Sequence, residues 1–212
     1  MTSPPVWLST LIDGLVALGT IALAFVAVYS DWLRAKLLPP RLRIEIVDAA
    51  GQLTVFDTNR PVVYYHLRVV NERPWMTIRD CRVMLVGVAS RGPDLQFRPE
   101  PMPVPFQFIW APSGITPALA VVHRDQICDL GYLTEPTPEE GPPVRFMPSL
   151  YAYPHHFRGF VAPGEAVRYW LQVTADGFVS EKYTVIEVSW DGRWSTNSHE
   201  RSNSLVVTKL AA

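Results

Sequence analysis

The sequence is poor in charge, cysteine and recognisable catalytic motifs. Lysine and arginine number 19 against 20 aspartates and glutamates, a formal net charge of −1, and only 18% of residues are charged. With no basic field to attract a polyanion, a nucleic-acid role is excluded. Two cysteines, Cys81 and Cys128, allow at most one bridge. Glycine-rich segments of the type G-x-G-x-x-G or G-x-x-x-x-G-K are absent, which argues against nucleotide hydrolysis and dinucleotide binding. There is no G-x-S-x-G, since Ser113-Gly114 follows Pro112, and no Cys–His pair with a local protease signature. His123, Cys128, Asp129, His155 and His156 have metal-ligand chemistry but match no closed zinc spacing, and the adjacent His155 and His156 would face opposite ways on a strand. Glu139 and Glu140 lie in a proline-rich loop, where solvated charge is expected rather than acid–base work. The expectation is a chain with no catalytic residues, no cofactor and no metal.

What is present begins with a long apolar run. Trp7 to Tyr29 carries one charge, Asp13, in 23 positions. As a helix it would be about 35 Å long, enough to cross a hydrocarbon core of about 30 Å. Ser3 ahead of Pro4 and Pro5 supplies a helix start. Trp7 at one end and Tyr29 and Trp32 at the other place amphipathic rings at both expected membrane–water boundaries. A secretory signal peptide would need a basic n-region and a shorter apolar run. Here no Lys or Arg precedes the run, although Ala22, Ala24 and Ala27 imitate a cleavage pattern. A buried core helix would be shorter and less uniformly apolar. The reading is an uncleaved single-pass anchor.

Arg34, Lys36, Arg41 and Arg43 follow the span closely. By the positive-inside rule the N-terminus lies outside and the remainder of the chain in the cytoplasm of a bacterial inner membrane. Thiols stay reduced there, so Cys81 and Cys128 are expected as free, buried small hydrophobes. The chain thus divides into an anchor with a basic arm, 1–40, and one folded domain, 41–212.

The domain reads as strands. Leu42, Ile44 and Ile46 alternate with Arg41, Arg43 and Glu45; Leu53 to Phe56 forms a short partner after the turn at Asp48 to Gly51. Val62–Asn71 and Asp80–Val88 place Val63, Tyr65, Leu67 and Val69 on one face and Cys81, Val83 and Leu85 on another. Phe106, Phe108 and Trp110 alternate inside a proline-rich stretch, which predicts an edge strand. Ala118 to His123 and Val144 to Phe146 are short strand candidates, and Tyr151–Phe160 is irregular. Val167, Tyr169, Leu171 and Val173, then Ile186, Val188 and Trp190, then Leu205–Leu210 close the domain, with turns at Asp176-Gly177 and Asp191-Gly192. Twenty prolines and twelve glycines suit many short strands, and no helix-length amphipathic run separates them. The predicted class is an all-β antiparallel sandwich of seven to nine strands behind one transmembrane helix.

The Val62–Asn71 and Asp80–Val88 pair, with Asn71 ending one strand and Cys81 opening the next, resembles immunoglobulin-like β-sandwich modules of bacterial surface and membrane proteins. The antibody-type pattern is absent: Trp110 lies far beyond Cys81, and no Tyr stands two residues before Cys128. The basic-flanked anchor running into PPRLRIEI is similar to uncharacterised bacterial single-pass membrane proteins. That resemblance implies an Ig-like fold and no activity.

Two surfaces remain as candidates. Asp13, Ala17, Thr20, Ala24 and Ala27 recur at spacings of four and three, a small or polar stripe on the helix that suits helix–helix contact and a homo-oligomer. Leu11, Leu15, Leu18, Phe25 and Tyr29 make a bulkier face suited to lipid. The aromatics of Phe106–Trp110 and Tyr151–Phe160 suit either a core or a recognition surface, and a core is expected. The functional expectation is a non-enzymatic interaction module with a protein partner. Its alternative is a ligand-sensing effector, for defence or signalling, whose β-domain binds a small molecule and whose helix oligomerises.

Overall fold

The computed structural model describes residues 6–37, 39–56, 59–114, 116–136 and 144–211. Thr2, the Ser3–Pro5 start signal, the Glu139-Glu140 pair within 137–143, and Ala212 lie outside the described residues, as do the side chains of Trp32, Arg34 and Lys36. The chain divides into two compact units, Met1–Pro39 and Pro40–Ala212.

The first unit is the helix α1, Val6–Leu37. Its stretch Thr10–Ser30 has mean hydropathy 2.3, contains only Asp13 as a charge and has no buried residue, and it is long and apolar enough to cross a membrane. The helix ends before Pro39-Pro40, because a proline side chain removes the N–H and clashes with the preceding turn. Phe25 and Tyr29 stack along one face, ring centres 4.5 Å apart.

The second unit contains β1 (Leu42–Ile46), β2 (Gln52–Val55), β3 (Pro61–Asn71), β4 (Ile78–Arg91), β5 (Phe97–Pro99), β6 (Phe106–Gln107), β7 (Ala120–Val122), β8 (Asp125–Thr134), β9 (Met147–Pro148), β10 (Ala166–Ala175), β11 (Phe178–Val179), β12 (Thr184–Trp190), the short helix α2 (Ser198–Ser204) and β13 (Leu205–Leu210). Every pairing among them is antiparallel. One five-stranded sheet runs β1-β3-β8-β9, with β2 continuing β1 along the same edge of β3. An eight-stranded sheet runs β13-β12-β10-β4-β5, with β6, β7 and β11 attached. Val63, Tyr65, Leu67 and Val69 of the first sheet and Val83, Leu85, Tyr169, Leu171, Ile186 and Val188 of the second share one core. The unit is therefore an antiparallel sandwich, as the alternating runs predict, but with thirteen strands among the described residues instead of seven to nine, because two- and three-residue pieces such as β5, β6, β9 and β11 pair locally. Cys81 and Cys128 are free thiols buried in that core.

Three elements differ from the sequence reading. The aromatic stretch after the prolines is not an edge strand. Phe106 pairs with Leu85 in the eight-stranded sheet, Phe108 N–H donates to Val83 O, and Trp110 bridges Cys128 in the five-stranded sheet. Pro101, Pro103, Pro105 and Pro112 bracket this stretch and limit the paired run, and the chain crosses between the sheets and carries Phe108 and Trp110 into the core, both fully buried.

The second difference is β8, a ten-residue central strand whose alternation a bulge disguises: Tyr65 pairs with Gly131 and His66 with Asp129, which leaves Leu130 extra. Gly131 is required at the bulge, since a Cβ there would meet Met147 O and Phe146 Cζ at 2.5 Å. The third is α2, a polar helix without apolar period. Asn197 caps it by accepting from His199 N–H at 2.9 Å. Its buried Arg201 donates to Ala50 O at 3.1 Å, to Gly51 O and to Thr196 O, fastening the β1–β2 turn to the C-terminal hairpin.

Candidate functional site

Strand alternation sends half of β3 and β8 outward, and the register sets those residues in facing rows. Tyr64 lies opposite Tyr132, His66 opposite Asp129, and Arg68 opposite Ile127. Because of the bulge, Asp129 projects away from the core while its neighbour Cys128 projects into it. His66 Nδ1 stands 2.8 Å from Asp129 Oδ1. An ionised carboxylate only accepts, so that ring nitrogen carries the proton. Asp129 is 6% exposed, and its backbone N–H donates to Ile109 O on the crossing segment.

The same face carries a cluster of rings. Tyr64 stacks on His66 with planes 4° apart, Tyr64 and Tyr132 are 5.5 Å apart, and Phe56 meets both tyrosines edge-on. Burial, with Asp129 adding to it, raises the Tyr64 hydroxyl above its ordinary value, and burial does the same for Tyr132. Both phenols stay neutral donors in neutral solution. Between the Tyr64 and His66 rings and the turn at Ala111–Ser113 lies an open groove of about 530 Å³. Its walls include Val47, Thr54, Tyr64, His66, Ile127 and Asp129, with Ser113 at the rim. Gln126 holds that rim by donating to Ala111 O, and Ala111 N–H donates to Ile127 O. No serine or cysteine among the described residues hydrogen-bonds to the His66 ring, so the pair lacks the third member that a nucleophilic relay needs.

The residues with metal-ligand chemistry do not assemble. Cys128 faces the core and Asp129 the groove; His123 Nδ1 lies 3.1 Å from Thr77 Oγ1; His155 and His156 are exposed in a turn. Among the described residues no three His, Cys, Asp or Glu side chains form a group able to hold an ion. Asp13, Ala17, Thr20, Ala24 and Ala27 all lie on α1 with exposed side chains. Thr20 Oγ1 donates to Val16 O at 2.8 Å, so its hydroxyl is already satisfied within the helix.

Sequence reasoning named Asp129 for the wrong partners and passed over His66. The usable signal was Tyr64-x-His66: two large rings on the polar phase of a strand whose other phase already filled the core. The chain matches no protein-family model, no curated protein and no solved structure, so the groove has to be interpreted from its own residues.

Proposed function

We propose that the protein is a membrane-anchored, non-enzymatic binding module. In this reading α1 crosses a bacterial inner membrane, the β-unit stands on the cytoplasmic side, and the groove on the outer face of the five-stranded sheet receives a partner protein. The observation that carries it is the groove: the Tyr64 ring and the nearly buried, hydrogen-bonded His66–Asp129 pair, open along its length, form the mixture of aromatic anchor and fixed polar group at which partner side chains bury. The lack of basic residues ahead of the apolar span and the four that follow it, Arg34, Lys36, Arg41 and Arg43, support the orientation. The stripe Asp13, Ala17, Thr20, Ala24 and Ala27 supports self-association of the helix within the bilayer.

A photo-crosslinking residue at Gln52 or Thr54, on the groove, is the test, with Val206 on the far sheet as the control. In intact cells the groove positions should give a discrete protein adduct, lost with Tyr64→Ala, and the control none. Equal adducts, or none from the groove, would remove the reading. A reporter active only in the cytoplasm, fused after Ala212, should be active, and a Thr2→Cys thiol should label from outside. Covalent capture of Ser113 by a fluorophosphonate would overturn the non-enzymatic part.

A second reading, the ligand-sensing effector, draws on a smaller pocket of about 280 Å³ where Arg91, Arg145 and Arg158 surround Phe157 and Phe160. Guanidinium groups beside aromatic faces suit a phosphorylated planar ligand. A nucleotide second messenger that raises the melting temperature of the full chain would favour it.

A further inference from the structure

One end of the β-unit gathers the start of β1, the β3–β4 loop, the β7–β8 turn and the β10–β12 connection. The register fixes this, because Leu42 pairs with Asn71, Val70 with Asp125, Ile78 with Val122 and Val185 with Leu210. Glu72 N–H donates to Arg41 O and Asp176 N–H to Arg79 O across the same end. It is also where the chain from α1 joins the sandwich. Residues 38–41 alone separate Leu37 from Leu42, a reach of about 18 Å fully extended.

This end carries large side chains that nothing in the sandwich covers. Trp75 is 71% exposed and Tyr183 48%, both in connecting segments, and Val179, at the end of β11, is 58% exposed. Exposed cations lie on the elements of the same end: Arg41, Arg79, Arg124 and Lys182. Of the acids, Glu72 is engaged by Arg43 at 3.5 Å and Asp125 by Arg68 at 3.6 Å, leaving Asp80, Asp176 and Glu181 without an ion pair among the described residues. Between β1 and the 178–184 segment runs a groove of about 520 Å³ lined by Arg41, Leu42, Phe178, Lys182 and Tyr183. Its rim also holds Glu72 and Glu181, which Arg41, Arg43, Lys182 and Lys209 outnumber, and a net cationic rim over apolar walls matches a phospholipid headgroup with the upper part of its acyl chain.

We propose that this end of the β-unit docks on the bilayer surface, with Trp75, Val179 and Tyr183 in the headgroup layer and Arg41, Arg124 and Lys182 on anionic lipid phosphates. The inference rests on the reading of α1 as a membrane anchor. Trp and Tyr rings settle at membrane–water boundaries, and basic groups close to an anionic leaflet are attracted to it. The short tether supplies the high local concentration that makes several weak contacts sufficient.

The test uses the full chain in lipid nanodiscs with a fluorophore on Val179→Cys or, at the opposite end, Gln96→Cys, and a quencher attached to lipid headgroups. With phosphatidylglycerol in the disc, the probe at 179 should be quenched several-fold more than the probe at 96. Phosphatidylcholine-only discs, or R124E with K182E, should relieve most of that difference. A tether without docking would be indifferent to both changes, and charge-independent quenching or equal quenching at the two positions overturns the proposal. Failure of the full chain to enter the discs would instead defeat the anchor reading.

Discussion

Breaking the His66–Asp129 pair from one side, from the other, and from both measures what the groove floor contributes. His66→Leu leaves the Asp129 carboxylate, whose side chain is 9% exposed, without its ring partner. An orphaned, nearly buried acceptor costs about 1–3 kcal/mol. Asp129→Leu leaves an imidazole that is 19% exposed and opens onto the groove, so water replaces part of the loss. That variant should cost about 0.5–1.5 kcal/mol, the net worth of an ordinary hydrogen bond. In the double variant two leucines face each other across β3 and β8 at the same register, and a cross-strand apolar pair returns about 0.2–1 kcal/mol. The double variant should therefore be more stable than His66→Leu alone, with a coupling energy of about 1–2 kcal/mol. Urea unfolding of the full chain in detergent micelles, followed by tryptophan fluorescence, reads this as midpoint shifts at constant slope. Single losses that sum to the double loss within about 0.3–0.5 kcal/mol would refute the reasoning, because independent residues add.

Burial pushes the Cys81 thiol up to about 12 and holds Cys128, with Asp129 beside it, well above its ordinary value, so neither should react with iodoacetamide in mildly alkaline buffer until the chain is denatured. Desolvation is the largest single influence on the Asp191 carboxylate and works against its ionised form, but hydrogen bonds from Arg193 and Ser204 together outweigh it and lower its pKa to about 2. A depressed carboxylate stabilises above its unfolded value and loses that contribution as pH falls through the folded one, so stability should drop between about pH 4 and about pH 2, and Asp191→Asn should flatten that limb of a melting curve. In a membrane two-hybrid assay Ala17→Leu, Ala24→Leu and Asp13→Leu should weaken self-association of α1, while Leu15→Ala and Leu18→Ala should not.

Strands that bury one face completely were legible. Val62–Asn71 and the run from Val167 to Val173 alternate without interruption, and each forms a strand with that face in the core. The apolar length of α1 was equally plain. β8 was not, because the extra Leu130 puts Cys128 and Leu130 in the core with Asp129 between them facing out, and Gly131 offers no side chain to mark its face. The His66–Asp129 pair inherits that difficulty: its members lie 63 positions apart, and only the shifted register brings them opposite. Helix α2 has the composition of a loop, since Arg201 stabilises it by reaching backbone carbonyls 150 and 151 positions away rather than through a period in its own sequence.

The crossing segment after the prolines has a bearing on how the sandwich comes apart. Phe108 N–H belongs to the ladder of β4, while Ala111 N–H and Asp129 N–H belong to the ladder of β8, and only Ile109 and Trp110 stand between Phe108 and Ala111. Neither sheet can open locally without pulling Phe108 or Trp110 out of the shared interior, and removing either large ring from a packed core costs about 3–5 kcal/mol. The two sheets therefore form one cooperative unit rather than two separable foldons. Amide hydrogens of Phe108, Ala111 and Asp129 should exchange with solvent only through global unfolding, with a shared protection free energy equal to that of the slowest amides in β10.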